Sequence, residues 1–163
     1  MKEKIDVFDY AGEIMKAMKT GILLTTKAGD QVNTMTIGWG VLGIEWAAPI
    51  FTVFVRESRF TRDCLDKNPE FTVNIPIGNF DRKILGIAGS KSGRDLDKIE
   101  ALGLHLEQPE VLSVPGIAEF PLTLECRIVY KQLQDKDAIP QEIQEKFYPQ
   151  DVDGSFPMCN RDF

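Results

Sequence analysis

Histidine is nearly absent from this chain: one residue, His105, in 163. It lies between Leu104 and Leu106 in an apolar stretch, so we read it as structural and give it no acid–base role. The three cysteines, Cys64, Cys126 and Cys159, are widely spaced and form no C-x-x-C pair. That excludes a disulfide framework and a zinc knuckle, and fits a reducing cytoplasm. No apolar run approaches the roughly 20 residues that cross a bilayer. The charged start Met1-Lys2-Glu3-Lys4-Ile5-Asp6 also lacks an apolar secretion signal, so no membrane association is expected. The G-x-G-x-x-G fingerprint of a dinucleotide crevice is missing, and Gly89–Asp95 has the wrong order for a P-loop. Excess positive charge is missing as well. With 19 Lys and Arg against 25 Asp and Glu the net charge is −6, which excludes general nucleic-acid binding because phosphate repulsion would have to be overcome. Any anionic ligand must find a local basic pocket.

What is present, 43% hydrophobic and 27% charged residues, is ordinary for a globular protein, and the length suits one domain over residues 1–163. Asp9 to Thr20 reads as an amphipathic helix capped by Asp9 and stopped by Gly21. Ile22–Thr26 and Asn33–Trp39 read as strands of a hairpin around Gly29. Ile50–Val55 is a third strand, and Ser58 caps a short helix through Leu65 that ends at Asn68-Pro69. Glu70–Ile75 is a strand, and Asp81–Ala88 and Asp95–Ala101 are helical. Leu104–Leu106, Val111–Ser113 and Leu122–Tyr130 are further strands. Short strands with helices tucked between them predict a mainly β fold with α insertions, an antiparallel barrel.

Three clusters carry chemistry. The first is Asn33-Thr34-Met35-Thr36-Ile37-Gly38-Trp39-Gly40. A plain core strand would carry Val, Ile or Leu on its buried face. Here Thr34 and Thr36 share one face with Val32, while Asn33, Met35 and Trp39 share the other. Glycines flank the Trp and allow close backbone approach. A flat, polar-edged aromatic ligand suits that surface; the alternative is a half-exposed strand with a core Trp. In the second cluster, Arg56, Ser58, Arg59 and Thr61 stand at a strand–helix junction, where free N–H groups and charged donors favour an anion. The alternative there is a capped surface helix with solvated arginines. The third cluster is Gly89-Ser90-Lys91-Ser92-Gly93-Arg94-Asp95, followed by Asp97 and Lys98, whose backbone and side-chain donors can converge or form a solvated turn. Arg94 is expected to pair on the surface with Asp95 or Asp97.

In their order and spacing, Asn-x-Met-Thr-x-Gly-Trp, Arg-x-Ser-Arg-x-Thr, Phe-Thr-Val-Asn-Ile-Pro and Ser-Gly-Arg-Asp-x-Asp-Lys resemble the flavin-reductase-like family, and within it the flavoredoxins. The resemblance runs from about Thr20 to Tyr130, with a weaker continuation beyond. It implies an FMN-binding split β-barrel, homodimeric, with non-covalent FMN near the subunit interface; FAD is the less favoured flavin. By the same resemblance Asn33, Thr34, Met35, Thr36 and Trp39 match the ring- and ribityl-facing segment. Ser58, Arg59 and Thr61, with Arg56 beside them, match the phosphate side. Ser90, Lys91, Ser92 and Lys98 match the loop that closes over the cofactor, where a lysine near the pyrimidine edge would favour reduced flavin. No metal and no catalytic acid or base is implied, because the cofactor carries the chemistry.

Related chains continue past the equivalent of Asn160-Arg161-Asp162-Phe163 with a His and a Tyr-rich strand. The C-terminus is therefore expected to be shortened, or its closing strand absent. Two functions follow from the resemblance. One is an enzyme taking electrons from NADH or NADPH through flavin to an acceptor. The other is an FMN-binding electron carrier reduced by a partner protein. An interaction module without flavin, on the same barrel, is the third reading.

Overall fold

The unbroken apolar run Ile22-Leu23-Leu24 already implies a strand buried on both sides, and the fold is built around it. A computed structural model describes residues 2–148 and the backbone of 157–162. Strand β1 (Ile22–Ala28) runs into β2 (Gln31–Ile37) through a turn at Gly29, whose φ of 60° is the left-handed conformation glycine adopts without strain. After only Gly38 and Trp39 the chain enters β3 (Gly40–Glu45), then turns at Trp46 and Ala47 into β4 (Ala48–Arg56). Helix α2 (Phe60–Lys67), β5 (Glu70–Ile75), α3 (Arg82–Ser90) and α4 (Lys98–Leu102) follow α1 (Ala11–Met18) and these strands. Two-residue strands β6 (Leu106–Glu107) and β7 (Gly116–Ile117) lead to the long β8 (Leu122–Leu133), α5 (Gln141–Phe147) and β9 (Pro157–Asp162).

The seven-stranded sheet has the order β2-β1-β5-β8-β9-β4-β3, with every neighbouring pair antiparallel. Its two outer strands, β2 and β3, are consecutive in sequence. Ile37 and Gly40 are three peptide steps apart, at most about 11 Å, so the sheet must curl until its ends approach. This is the split barrel with α insertions that the sequence predicts. Inside lie Ile22, Leu24, Ile37, Phe51, Val53, Val55, Phe71, Val73 and Ile75, with Ile14 and Met18 of α1 against them. Leu23, on the opposite face of β1, joins Ile84, Leu85 and Ala88 of α3 with Ile117 and Phe120 in a second cluster.

Several boundaries differ from expectation. Strand β3 was not assigned from the sequence: Gly40 sits where a Cβ would come within 2.7 Å of the Met18 methyl and 2.9 Å of the Thr52 carbonyl, so glycine there permits the close approach expected of it. Asp6, not Asp9, caps the N-terminal helical turn by accepting the Phe8 N–H, and Ser58 does not cap α2, whose N-cap position is Arg59. Helix α4 starts at Lys98, after Asp97 accepts the N–H groups of Ile99 and Glu100. Val111–Ser113 is not a strand. The Glu125 carboxylate takes the amides of Glu110, Val111 and Leu112, and Glu70 takes that of Ser113, so side chains satisfy the donors a ladder would have used. Helix α5 is polar and exposed, which hid it from hydrophobic periodicity. The backbone of Pro157–Asp162 supplies a strand between β8 and β4 that was not singled out from the sequence.

Asn74, from the Phe-Thr-Val-Asn-Ile-Pro run, is a fully buried hub. Its Nδ2 donates to the hydroxyls of Thr25 (3.0 Å) and Thr72 (3.3 Å), and its Oδ1 accepts from the Ile117 N–H (2.9 Å) and the Thr123 hydroxyl (3.1 Å). With Asn74 donating to it, the Thr25 hydroxyl is free to donate to Thr34 Oγ1, 3.0 Å away. The polar residues of β1, β2 and β5 thus satisfy one another inside the protein. Asn74→Ala should destabilise the fold by on the order of 3 kcal/mol, because it leaves several buried donors and acceptors unpaired. Urea denaturation measures the loss, and a change below about 1 kcal/mol would mean that the network is dispensable.

Candidate functional site

Where β2 faces the N-terminus of α2, the Asn33 side chain makes the first connection. Asn33 is buried, and its Nδ2 donates to Thr61 Oγ1 at 3.0 Å, tying the first turn of α2 to the strand. Beside this bond opens a cleft of about 310 Å³. Asn33 and Met35 form its β2 wall, and Ser58, Arg59, Phe60 and Thr61 form its α2 wall. Ala88 and Gly89 at the end of α3, then Lys91, Ser92, Gly93, Arg94 and Asp95, form the side that leads to Lys98.

Lys98 is the most deeply buried charged group in the cleft. Its side chain is 4% exposed, and no carboxylate pairs with it among the described residues. Its Nζ instead donates to two main-chain carbonyls, Thr34 at 2.9 Å and Ala88 at 2.8 Å. One belongs to an outer strand of the sheet and the other to the last turn of α3, where carbonyls lack helical partners. Burial penalises the ammonium and the Arg59 charge repels it, so its pKa falls from 10.5 to about 8. Arg59 is exposed, and among the described residues its guanidinium makes no hydrogen bond or ion pair. It therefore presents its charge beside the free N–H groups that open α2.

Arg94 does not pair with Asp95 or Asp97 as expected. It reaches α2 instead, donating to Asp63 Oδ2 at 2.6 Å and to the Ser58 carbonyl at 2.9 Å, with its guanidinium 5.5 Å from the Phe60 ring centre. Gly93 beside it abuts both walls: an added Cβ would overlap Asn33 Oδ1 and come within 2.7 Å of the Phe60 ring.

Of the residues singled out from the sequence, Asn33, Met35, Ser58, Arg59, Thr61, Lys91, Ser92 and Lys98 line this one cleft. The others do not. The Thr34 hydroxyl is spent within the buried Thr25 pair, and only its carbonyl serves the site, through Lys98. Thr36 Oγ1 donates to the Leu85 carbonyl at 2.7 Å and packs α3 onto β2. Ser90 ends α3 and is exposed outside the cleft. Trp39 packs edge-on against Phe147 (5.6 Å between centres) and Tyr148 (6.1 Å), not along the cleft. Arg56 joins the same group, donating to the Phe147 carbonyl at 3.0 Å and lying 5.6 Å from the Tyr148 ring centre. Gly89, Gly93, Arg94 and Asp95, members of the third cluster not assigned to the cofactor, also line the cleft, as do Phe60 inside the second cluster and Ala88 beside the third. His105 lies on the surface with its Nδ1 2.7 Å from Glu119 Oε1, outside the expected strand.

A second hollow, near Leu133, Gln134 and Ile139, is of similar size at about 340 Å³, but Asp135 is its single charged lining residue. It offers no cation. Among the described residues no group of three or more His, Cys, Asp or Glu could hold a metal ion.

Comparison with known proteins places these features in a family. The flavin reductase like domain matches residues 15–151. An uncharacterised protein of Archaeoglobus fulgidus is 32% identical over 108 residues, which cover 66% of this chain and 59% of that protein. The flavoredoxin of Methanosarcina acetivorans has the same fold, with a TM-score of 0.65 at 22% identity over 87% of this chain and 63% of its own. So does an FMN-binding protein from Thermus thermophilus, with a TM-score of 0.65 at 18% identity over 87% of this chain and 65% of its own. The chain thus spans about three-fifths to two-thirds of the length of these proteins. With the split barrel, its helical insertions and the family match in agreement, the chain belongs to the flavin-reductase-like family.

Proposed function

We propose that this protein is an FMN-binding oxidoreductase that passes electrons from NADH or NADPH through the flavin to an acceptor. The observation that carries the reading is the cleft itself, which gathers Arg59, Lys91 and Lys98 in a chain of net charge −6. The donor set fits the group. Arg59 and Ser58 at the opening of α2 suit a hydrated monophosphate, while Met35 and Ala88 give the ring system apolar contact and Lys98 gives it a nearby positive charge. A terminal monophosphate at α2 also favours FMN over FAD. Bound flavin would supply the two-electron chemistry. The chain's own residues hold and orient it: Asn33 fixes α2 against β2, and Lys98 fixes β2 against α3.

The fold match to a flavoredoxin keeps a second reading alive, an FMN electron carrier reduced by a partner protein. Anaerobic addition of NADH, then NADPH, to the FMN-loaded protein separates them. Bleaching of the flavin absorbance by either nucleotide supports the enzyme, and bleaching by neither supports the carrier. Assembly belongs to the same proposal: β3 is an outer strand exposing Val41 and Ile44, an apolar flank that isologous pairing would cover. A homodimer in the cytoplasm is the form we assign. Light scattering should give twice the 18.4 kDa chain mass, and a monomer at saturating FMN would contradict it. Cys64, a buried free thiol, is compatible with a reducing compartment.

If Arg59 meets the phosphate, Arg59→Ala should weaken FMN binding by on the order of 1.5–3 kcal/mol, roughly ten- to a hundredfold. Riboflavin, which has no phosphate, should bind the variant almost as it binds wild type. Fluorescence quenching with both ligands reads the difference, and equal losses would show that Arg59 holds the fold rather than the phosphate.

The Lys98 charge gives a pH dependence. An anionic ligand favours the protonated lysine, so binding raises a pKa that starts at about 8. FMN affinity should hold steady just below pH 8 and weaken as pH rises above it, because binding must then also take up a proton. Lys98→Met should remove that slope. Dissociation constants measured between about pH 7 and 9.5 for both proteins test this, and parallel profiles would contradict it.

A further inference from the structure

The 91–95 segment closes one side of the cleft, yet its main chain has no hold on the facing α2 wall. Lys91 N–H donates to the Ile87 carbonyl of α3 at 3.1 Å and the Ser92 carbonyl accepts from Leu96 N–H at 3.1 Å, while Asp95 N–H reaches the Ser92 carbonyl at 3.2 Å and Arg94 N–H the Ser92 hydroxyl at 3.1 Å. What joins it to the facing wall is the Arg94 side chain. Its guanidinium uses two nitrogens on two different parts of α2 and its approach: Nη1 on the Ser58 carbonyl and Nη2 on the Asp63 carboxylate. The Phe60 ring lies beside the guanidinium at cation–π distance. A planar fork holds these two acceptors in fixed directions while lying beside the ring, a geometry that an ammonium does not reproduce. Gly93, one residue earlier, brings the backbone so close to Asn33 and Phe60 that no side chain fits between them.

We propose that Arg94 is a positioning residue that clasps the 91–95 segment to α2 and so sets how long a ligand remains in the cleft. The inference rests on the flavin reading above, but not on where the phosphate lies. Arg94 and Asp63 are each nearly half exposed, at 46% and 43% of the side chain. Exposed ion pairs are weak and screened by salt. The clasp is therefore strong enough to order the segment and weak enough to open for ligand exchange. Ligand entry and exit need this side to move, because Asn33 and Thr61 hold the β2 and α2 walls together. The pair has a second consequence. Arg94 neutralises Asp63, the carboxylate in the first turn of α2, which would otherwise oppose an anion beside Arg59. Riboflavin is the better probe of the clasp, since it carries no phosphate to feel that charge.

The test compares wild type with Arg94→Ala, Asp63→Asn and the double variant, using two measurements. Amide hydrogen exchange of residues 91–95 in the ligand-free protein reads the clasp directly. Stopped-flow release of riboflavin and of FMN reads its effect on residence time. Each single variant should speed both exchange and riboflavin release by similar factors, on the order of three- to tenfold. The double variant should add little to the larger single effect, as expected for partners in one interaction. Arg94→Lys should restore only part of the hold, because it keeps the charge and loses the fork. Unchanged exchange and riboflavin release in Asp63→Asn would overturn the proposal. So would an Arg94→Ala effect confined to FMN, which would make Arg94 a phosphate ligand. If wild type binds neither flavin, the functional reading fails, and the exchange data alone still decide whether the clasp exists.

Discussion

The Lys98 ammonium, buried between two main-chain carbonyls, is the contact on which the site depends. Strand β2 ends the sheet order, so its Thr34 carbonyl has to be satisfied from outside the ladder. The Ala88 carbonyl in the last turn of α3 has the same need. One cation meets both, and in doing so fixes the distance between the strand and the helix that bound the cleft. A neutral donor could satisfy the hydrogen bonds. A lysine also brings a charge that burial opposes, as its lowered pKa records. That cost is explicable if a negative ligand sits alongside.

The electrostatics are local rather than global. A chain of net charge −6 repels anions at a distance. Within a Debye length the balance reverses, since Arg59, Lys91 and Lys98 share one cleft and Arg94 holds Asp63 in an ion pair. The arrangement favours an anion that is recognised at close range by shape and hydrogen bonds, and is unlike the broad basic face of a nucleic-acid binder.

Much of this was legible in the sequence. The strands β1, β2, β4 and β5 could be read because their β-branched and apolar runs between turn residues coincide with burial, and the hairpin at Gly29 because glycine relieves its positive φ. Strand β3 was missed because its two glycines, Gly40 and Gly43, interrupt the apolar pattern, and the nearness of Met18 and the Thr52 carbonyl explains the first. In the site, Arg59 was legible as a charged residue at a strand–helix junction, and Lys98 through the resemblance of the loop it follows. Trp39 and Arg56 were read as ligand contacts because aromatic and cationic residues suit a flavin. What the sequence could not convey is that Phe147 and Tyr148, more than 90 residues later, would pack on both. The hydroxyl of Thr34 was misjudged for a related reason: its partner Thr25 and the Asn74 hub come from other strands. Arg94 was assigned to its sequence neighbours, whereas its partner Asp63 is 31 residues away. Local pattern located the clusters, and non-local pairing decided which members face the cleft.

The central claim is that the cleft between β2, α2 and the segment from α3 to α4 holds a flavin. Amide hydrogen exchange across the chain, with and without saturating FMN, tests it most directly. The account predicts slowed exchange at residues 33–36, 58–61 and 88–98, with little change elsewhere. Protection confined to the hollow near residues 130–139, or to the cluster around Trp39 and Arg56, would contradict it.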